Sequence, residues 1–373
     1  MPSDPSLGGQ PPHVPTEDPE PQAVLNPLTT SAAFLVLTVP GDGDAALRVL
    51  DVAGDVNSLV RAVGFRESTA DLSCVVGFGA SFWDRIRPVG APRPAQLHTF
   101  PALTGARRDA PSTLGDLLFH VRANRADIVF EFTRQLMDAL GGDVRVEDHT
   151  TGFRYFDSRD LLGFVDGTEN PTGRSATAAA LIDTALEPDF AGGSYVTVQK
   201  YVHDMEAWKA LSTEEQERVI GRTKLDDIEL SDDVQPTNSH VALNSVTDED
   251  GRDLDILRDN MAFGDPSRGE MGTYYIAYAS DLGVTELMLR NMFIGNPPGN
   301  YDRILDVSVP LTGTEFFVPS LDLLESLADD APGRATTDDE GASGDPAGGH
   351  HDSATPIESD GSLSIGSLRG TDS

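Results

Sequence analysis

Two periodicities divide the middle of the chain into strands and helices. Short segments with alternating or continuous apolar residues, several of them β-branched or aromatic, predict strands at 33–39, 72–78, 96–103, 116–122, 194–202, 272–279 and 304–309. Apolar residues recur at a helical period over four other segments, which predicts helices at 45–63, 126–140, 212–220 and 284–293. Gly141 ends the second of these helices, and Ser212 with Glu215 has the form of a capping box that opens the third.

The order of these elements predicts the fold class. Strands and helices alternate in both halves of the chain, without the glycine-rich phosphate loop of a dinucleotide-binding fold. We therefore predict an α+β protein with two halves, at 29–147 and 148–325. Each half is expected to be an antiparallel sheet with helices on one face.

The two ends of the chain differ in composition from this middle part. Residues 1–28 are rich in proline, and the first 27 residues contain no lysine or arginine. Residues 326–358 are acidic and carry scattered glycine, serine and threonine. Such segments bury too little apolar surface to offset the entropy lost on ordering, so we predict a disordered tail and a disordered linker.

Charge and cysteine content exclude several classes of protein. The 373 residues include 61 acidic and 27 basic side chains, for a formal net charge of -34. This excess argues against binding to nucleic acid or to an anionic membrane surface. Cys74 is the single cysteine, which excludes an internal disulfide and a multi-thiolate metal site. No secretory signal or run of about 18 apolar residues is present, so we expect a cytoplasmic protein.

A segment rich in glycine and proline, residues 163–173, contains the first candidate for chemistry. The apolar residues 161–165 lead directly into Asp166, which places a carboxylate at the edge of a buried segment. A carboxylate rarely occupies such a position without a structural or chemical reason. The alternative is a tight turn in which Asp166 bonds to its own backbone, as Asp-Gly pairs often do.

Two later segments offer further polar groups. His240 lies where a polar loop meets an apolar stretch, which suits an imidazole that points into a pocket or a structural histidine of the core. Arg258 and Asn260 are two residues apart, so in an extended segment they face the same side. Their apolar neighbours suggest a cavity. The alternative is a surface strand in which Arg258 pairs with Asp255 or Asp259.

Taken together, these motifs resemble a known family. The segment Gly163-Phe-Val-Asp-Gly-Thr-Glu-Asn-Pro is similar to the Gly-x-x-Asp-Gly signature of the dye-decolourising peroxidases. The order of this signature, His240 and Arg258-Asp-Asn-Met-x-Phe-Gly resembles the bacterial B-type branch, over about residues 30–320. The resemblance implies two ferredoxin-like halves and a haem b held mainly by the second half.

The resemblance also implies roles for individual residues. His240 would be the proximal ligand of the haem iron, and Asp302 would accept the other N–H of its ring. Asp166, Arg258 and Asn260 would lie on the distal side, where peroxide is cleaved. Glu169 is a candidate contact to haem propionates, substrate or metal, and the alternative is an exposed turn residue. We expect a homo-oligomer that reduces hydrogen peroxide and oxidises phenolic, dye-like or other one-electron donors.

Residues 359–373 contain a short apolar motif within a polar end. Leu363, Ile365 and Leu368 are spaced along a segment rich in glycine and serine, which is the form of a peptide that orders on binding. The segment resembles the cargo-loading peptide of peroxidases packaged in encapsulin nanocompartments. The expected partner is therefore an encapsulin shell protein, and the alternative is a flexible end without a partner.

Two other functions compete with the peroxidase. One is a haem-binding carrier or iron-release protein that keeps the pocket without turning over peroxide. The other is an acidic structural subunit without haem, in which the Asp166 segment is merely a turn. A haem absorption spectrum, recorded with and without peroxide, separates the three.

Overall fold

The computed structural model describes residues 19–41 and 43–329. The predicted disordered linker spans 326–358, and its first residues, 326–329, are helical. Residues 1–18 of the predicted tail, the linker from 330 onward and the docking peptide with Leu363, Ile365 and Leu368 lie outside the described residues. No helix in the described ranges is both long and apolar enough to cross a membrane.

The first half of the chain forms a four-stranded antiparallel sheet with helices on one face. Its elements in chain order are β1 (Ser31–Thr38), α1 (Gly43–Gly54), α2 (Val56–Gly64), β2 (Ser73–Phe78), α3 (Ala80–Ile86), β3 (Leu117–Ala123), α4 (Ala126–Leu140) and β4 (Arg145–Phe153). The strand order is β4-β1-β3-β2, which is the order of a ferredoxin-like sheet.

The second half repeats this arrangement with more connecting helices. Its elements are α5 (Arg174–Ala180), β5 (Ser194–His203), α6 (Met205–Ala210), α7 (Thr213–Ile220), α8 (His240–Asn244), β6 (Leu257–Arg258), β7 (Met261–Asp265), β8 (Glu270–Ala279), α9 (Leu282–Phe293), β9 (Ser308–Pro310), β10 (Thr314–Val318) and α10 (Leu321–Asp329). The spatial order of the strands in the second sheet is β10-β5-β8-β7, which corresponds strand by strand to β4-β1-β3-β2 in the first sheet. The predicted α+β fold with two ferredoxin-like halves is therefore confirmed.

The two sheets meet at both edges. Phe78 of β2 pairs with Phe317 of β10, and Phe153 of β4 pairs with Ala262 of β7, so the eight strands form a closed ring. One apolar cluster fills the inside of this ring, and the helices cover its outside. The side of β5 and β8 that faces away from the ring interior is where the cavity described below lies.

Several predicted elements differ from the structure. Residues 96–103 form no strand, because Pro101 interrupts the segment. Among the described residues, its one bridge joins Leu103 to Ala110. The predicted strand at 304–309 begins instead as a 3₁₀-helix (Arg303–Asp306), because the Asp302 side chain accepts a hydrogen bond from the Ile304 amide and caps it. The predicted helix at 45–63 breaks into α1 and α2.

Three predicted boundaries also differ from the structure, and the one between 325 and 326 falls inside α10. Residues 19–28 were assigned to the disordered tail, but this part is ordered: the Gln22 side chain donates hydrogen bonds of 3.0 Å to the carbonyls of Val76 and Pro319, and Val24 is buried in the core. The boundary predicted between 147 and 148 falls inside β4. The first sheet needs β4 as its edge strand, so its last residue is Phe153.

Candidate active site

A cavity of about 420 Å³ lies against the second sheet. Its walls come from the segment 160–169, from β5, β6 and β8, and from helices α8 and α9. All of Asp166, Glu169, His240, Arg258 and Asn260 contribute to its lining, although 94 positions separate the first from the last. The fold therefore brings the predicted cavity residues together at one site.

The segment 163–173 is a turn, and it also orients chemical groups. Gly163 and Gly167 have φ values of 93° and 84°, a region that favours glycine, so these positions set the bend. The Asp166 amide donates to the Ser158 carbonyl at 2.9 Å. The Asp166 carboxylate accepts a hydrogen bond of 3.3 Å from the Asn260 side chain. The turn thus aims its carboxylate at a neighbouring strand, across the cavity wall.

The same segment holds the backbone of Arg258. The Asn170 side chain donates to the Arg258 carbonyl at 2.6 Å and accepts from the Arg258 amide at 3.0 Å. This two-bond contact fixes where the Arg258 side chain starts. Sequence reasoning missed Asn170, because nothing in the local pattern shows a partner 88 residues away.

Side chains alternate between the two sides of the extended segment, so Asp259 points away from Arg258 and Asn260. Asp259 points into the ring interior, where its carboxylate lies 2.6 Å from the buried Arg122 guanidinium. Arg258 and Asn260 line the cavity on the other side. The alternative in which Arg258 pairs with Asp259 is therefore wrong. The buried Nε atom of Arg258 donates to no described residue, which leaves a buried cationic donor free for an anionic or polar ligand.

His240 is the first residue of α8, directly after Ser239, whose hydroxyl accepts the Ala242 amide and caps the helix. The His240 Nδ1 atom lies 2.6 Å from an oxygen of Asp302, which is fully buried. Burial of the ring disfavours the imidazolium, but the Asp302 carboxylate outweighs it, so the pKa of His240 lies above its ordinary value. This contact leaves Nε2 as the ring nitrogen available to a ligand.

Asn244, one turn along α8, supports this pair. Its side-chain amide donates to the His240 carbonyl at 2.7 Å and lies 3.3 Å from the same Asp302 oxygen. The other Asp302 oxygen accepts the Ile304 amide at 2.9 Å. Asn244 was not predicted, although its spacing of four residues from His240 on a helix is a usable signal.

Asp160 is a second carboxylate at the cavity that the sequence analysis did not single out. Its carboxylate accepts the Phe164 amide at 2.9 Å. Burial raises the pKa of Asp160 to about 7, and the charge of Asp166 adds to this effect. A buried carboxyl with such a pKa can hold or release a proton near neutral pH. Asp160 directly precedes the apolar residues 161–162, so it lies at the edge of the same apolar segment whose position singled out Asp166.

Glu169 lies at the rim. Its carboxylate is more than half exposed and lies 2.6 Å from the Arg222 guanidinium. Arg222 also pairs with Asp227 at 2.8 Å and is mostly buried. Arg222 and Arg258 are the two arginines among the lining residues, so the cavity has one cation at its rim and one in its wall.

The other histidine of the lining is satisfied by the protein itself. His203 is buried, and its two ring nitrogens lie 2.8 Å and 3.0 Å from the hydroxyls of Ser308 and Thr273. Burial lowers the pKa of His203 to about 4, so the ring is neutral. It therefore has no nitrogen free for a ligand.

The lining residues fit a haem. An imidazole backed by a buried carboxylate is the usual form of an axial iron ligand. Apolar side chains of α9, among them Met288, Leu289 and Met292, supply a wall for a flat apolar ring. The unpaired Nε of Arg258 provides a donor for a polar ligand in the cavity, and Arg222, paired with Glu169 and Asp227, is the cation at the rim.

Comparison with known proteins agrees with this chemistry. Residues 21–154 match the family model described as "Dyp-type peroxidase, N-terminal", and residues 157–323 match "Dyp-type peroxidase, C-terminal". The chain is 52% identical over 359 residues to a dye-decolorizing peroxidase of Mycolicibacterium paratuberculosis, which covers 96% of this chain and 95% of that protein.

Two solved structures have the same fold. A variant of Rhodococcus jostii DypB in complex with haem is 59% identical and has a TM-score of 0.80, covering 83% of this chain and 100% of that one. The encapsulated DyP-type peroxidase of Mycobacterium smegmatis is 56% identical and has a TM-score of 0.79, covering 82% and 98%. Haem is thus the cofactor of this chain. The chain belongs to the Dyp-type peroxidase family and is a haem-dependent peroxidase.

Proposed function

We propose that this enzyme reduces hydrogen peroxide at a haem b bound by His240, and that it oxidises phenolic, dye-like or other one-electron donors as the cargo of an encapsulin shell. One observation carries the catalytic part of the proposal. His240, with Asp302 behind its ring, lines the same cavity as Arg258, Asp166 and Asn260. When bound, haem supplies the redox chemistry of peroxide reduction, and the chain supplies orientation, charge and protons.

The His240–Asp302 contact supports the proximal assignment. The carboxylate accepts the Nδ1 proton, which fixes the tautomer and presents the Nε2 lone pair to the cavity. It also makes the imidazole a stronger donor. Asn244 and the Ile304 amide hold the carboxylate in place, so the ring orientation is set before any ligand binds.

The distal assignment rests on complementary charges. Cleavage of the O–O bond moves a proton from one peroxide oxygen to the other, and negative charge develops on the oxygen that departs as water. The two electrons would come through the haem from the donor. The Arg258 guanidinium is permanently charged and can stabilise that charge. Asp166 can carry the proton, directly or through water, and Asn260 orients its carboxylate at 3.3 Å. We assign the larger share of the cleavage step to Arg258.

The rim residues support a further assignment. The Arg222 guanidinium suits a haem propionate, because arginine binds carboxylates in a planar, paired geometry. Glu169, held 2.6 Å from Arg222, would then lie beside the propionate and solvent. We propose that Glu169 acts there by orienting Arg222.

A steady-state experiment tests the distal assignment. The variant Arg258→Leu should retain the Soret band, while kcat/KM for peroxide falls by roughly 100- to 1000-fold, the usual loss for one such donor. The matched control is Arg252→Leu, which removes an exposed arginine paired with Asp250 and should change nothing. Equal kinetics in the two variants would contradict the assignment. The fall in kcat/KM for peroxide in Asp166→Ala, provided that its Soret band is intact, measures how much the Asp166 carboxylate contributes to peroxide cleavage.

The packaging proposal rests on the sequence of residues 359–373 and is compatible with the packaged relative from Mycobacterium smegmatis. It places the enzyme in the cytoplasm, inside a shell, as a homo-oligomer. Coexpression with an encapsulin shell protein tests it. The full chain should copurify with the shell, and a chain ending at Glu358 should not. Equal recovery of both chains would refute the docking role of Leu363, Ile365 and Leu368.

A further inference from the structure

A second group of chemical side chains lies away from the haem cavity lining. His98, from the irregular segment that follows α3, meets Glu286 of α9 and Glu315 of β10. One ligand atom from each residue lies within 4.8 Å of the others. The His98 Nε2 atom is 3.4 Å from Glu286, and Nδ1 is 3.3 Å from Glu315.

The surroundings of His98 determine which nitrogen is available. Nδ1 lies 3.0 Å from the carbonyl oxygen of Thr99. With its proton on Nδ1 and donated to that carbonyl, the ring carries a lone pair on Nε2, on the side of Glu286, while the Glu315 carboxylate lies nearer Nδ1. A ring N–H donated to a backbone carbonyl is the arrangement that metal-ligating histidines adopt.

Glu315 provides an independent reason for a cation at this place. Its side chain is fully buried, yet neither carboxylate oxygen accepts a hydrogen bond from any described residue. Among the described residues, His98 is the one basic group within 4.0 Å of this carboxylate. Burial, and then the charge of Glu286, raise the pKa of Glu315 to about 8, which reflects a carboxyl without sufficient compensating charge.

We propose that His98, Glu286 and Glu315 form a binding site for a divalent transition-metal ion, with Zn²⁺ as the best-suited cation. Zinc takes imidazole nitrogen and carboxylate oxygen at about 2.0–2.2 Å, so tetrahedral ligands lie about 3.4 Å apart. The His98–Glu286 separation matches that edge, and the other ligand atoms, within 4.8 Å of one another, would approach by at most about 1.4 Å when the ion binds. Two carboxylates and a neutral imidazole balance the charge of the ion. Mg²⁺ and Ca²⁺ prefer oxygen donors and fit this set less well.

Such an ion would connect three parts of the fold. It would fix the irregular segment around His98 to α9 and to the edge of the second sheet. Helix α9 also supplies Met288 and Leu289 to the haem cavity, so the proposed site and the cavity share this helix. The proposed role of the ion is structural, since the site lies outside the cavity lining.

Calorimetric titration of the holoenzyme with Zn²⁺ tests the site. The full chain would carry His350→Ala and His351→Ala, so that the terminal histidine pair binds no zinc, and would be cleared of metal with EDTA. We expect one Zn²⁺ bound per chain, with Kd at least tenfold higher in both His98→Ala and Glu315→Gln. Glu315→Gln keeps the side-chain shape, and His98 is half exposed, so neither change should prevent folding.

Matched controls make the result specific. His149→Ala and Glu270→Gln change an exposed histidine and an exposed glutamate elsewhere, and should leave zinc affinity unchanged. Mg²⁺ should bind at least tenfold more weakly than Zn²⁺. Zinc affinity that is unaffected by His98→Ala, or equal affinity for Mg²⁺ and Zn²⁺, would overturn the proposal, because either result describes general attraction to acidic side chains.

Discussion

Replacing Asp302 with asparagine changes one charge behind the proposed iron ligand. The Asp302 carboxylate is fully buried and lies 2.6 Å from His240 Nδ1, so the variant Asp302→Asn keeps the size of the side chain and an acceptor oxygen. It loses the negative charge that makes the imidazole a strong donor. Since that charge stabilises the more positive ferric state, we expect the ferric/ferrous midpoint potential to rise.

The size of the shift follows from the contact. A buried hydrogen bond to a charged group contributes about 1.5–3 kcal/mol. For a one-electron couple, 59 mV corresponds to a tenfold change in equilibrium constant, or about 1.4 kcal/mol. The potential should therefore rise by about 60–130 mV. The upper end assumes that the asparagine oxygen replaces none of the interaction.

Spectroelectrochemistry of the holoenzyme measures this potential directly. Asp306→Asn is the matched control, because Asp306 lies four residues later and bonds to Tyr301 and Arg107 instead of His240. Its potential should equal that of the unmodified enzyme. If Asp302→Asn also leaves the potential unchanged while haem remains bound, the carboxylate does not act on the iron through His240, and the proximal assignment fails.

Three further predictions concern residues that support the site or the fold. Asn170→Ala removes two hydrogen bonds to the Arg258 backbone, each worth about 1 kcal/mol, and about 2 kcal/mol corresponds to roughly 30-fold in rate. Peroxide turnover should therefore fall by up to about 30-fold with haem retained; an unchanged kcat would mean that the strand alone orients Arg258. The pKa of Glu315 is raised to about 8 in the folded state, so the unfolded carboxyl ionises first as pH rises. In EDTA the free energy of unfolding should therefore fall between about pH 5 and pH 8, by at most ~5 kcal/mol. Denaturant unfolding of Glu315→Gln should depend less on pH, and parallel pH profiles for the two proteins would refute this. Asp259→Asn leaves the buried Arg122 charge unpaired and should lower the free energy of unfolding by about 3–5 kcal/mol, measured with denaturant. The double variant Arg122→Met with Asp259→Leu should lose less, because it removes both charges. A loss in the double variant equal to the sum of the losses in the two single variants would argue against the pair.

The residue pattern within one helix or strand correctly predicted the features that depend on that element alone. The helix predicted at 126–140 coincides with α4, and the Ser212 hydroxyl accepts the Glu215 amide as the capping box required. The same applies to Arg258 and Asn260. Their two-residue spacing predicted a shared face, and both line the cavity while Asp259 faces the ring interior.

Contacts between distant parts of the chain were beyond such reasoning. The Asn170 contact to Arg258 spans 88 residues, and the Arg122 pairing with Asp259 spans 137. Neither residue type nor period encodes a partner at that distance. The burial that raises the pKa of Asp160 likewise arises only once the second half has folded around the cavity.

The most direct test of the central claim is the absorption spectrum of the haem-loaded protein, before and after one equivalent of peroxide, in the unmodified enzyme and in His240→Ala. His203→Gln is the control, since His203 also lines the cavity but has both ring nitrogens bonded to hydroxyls. We predict a Soret band that responds to peroxide in the unmodified enzyme and in the control. In His240→Ala the band should shift or vanish and the response should be lost. An unaltered band with an unaltered peroxide response in His240→Ala would contradict the claim that His240 holds the haem.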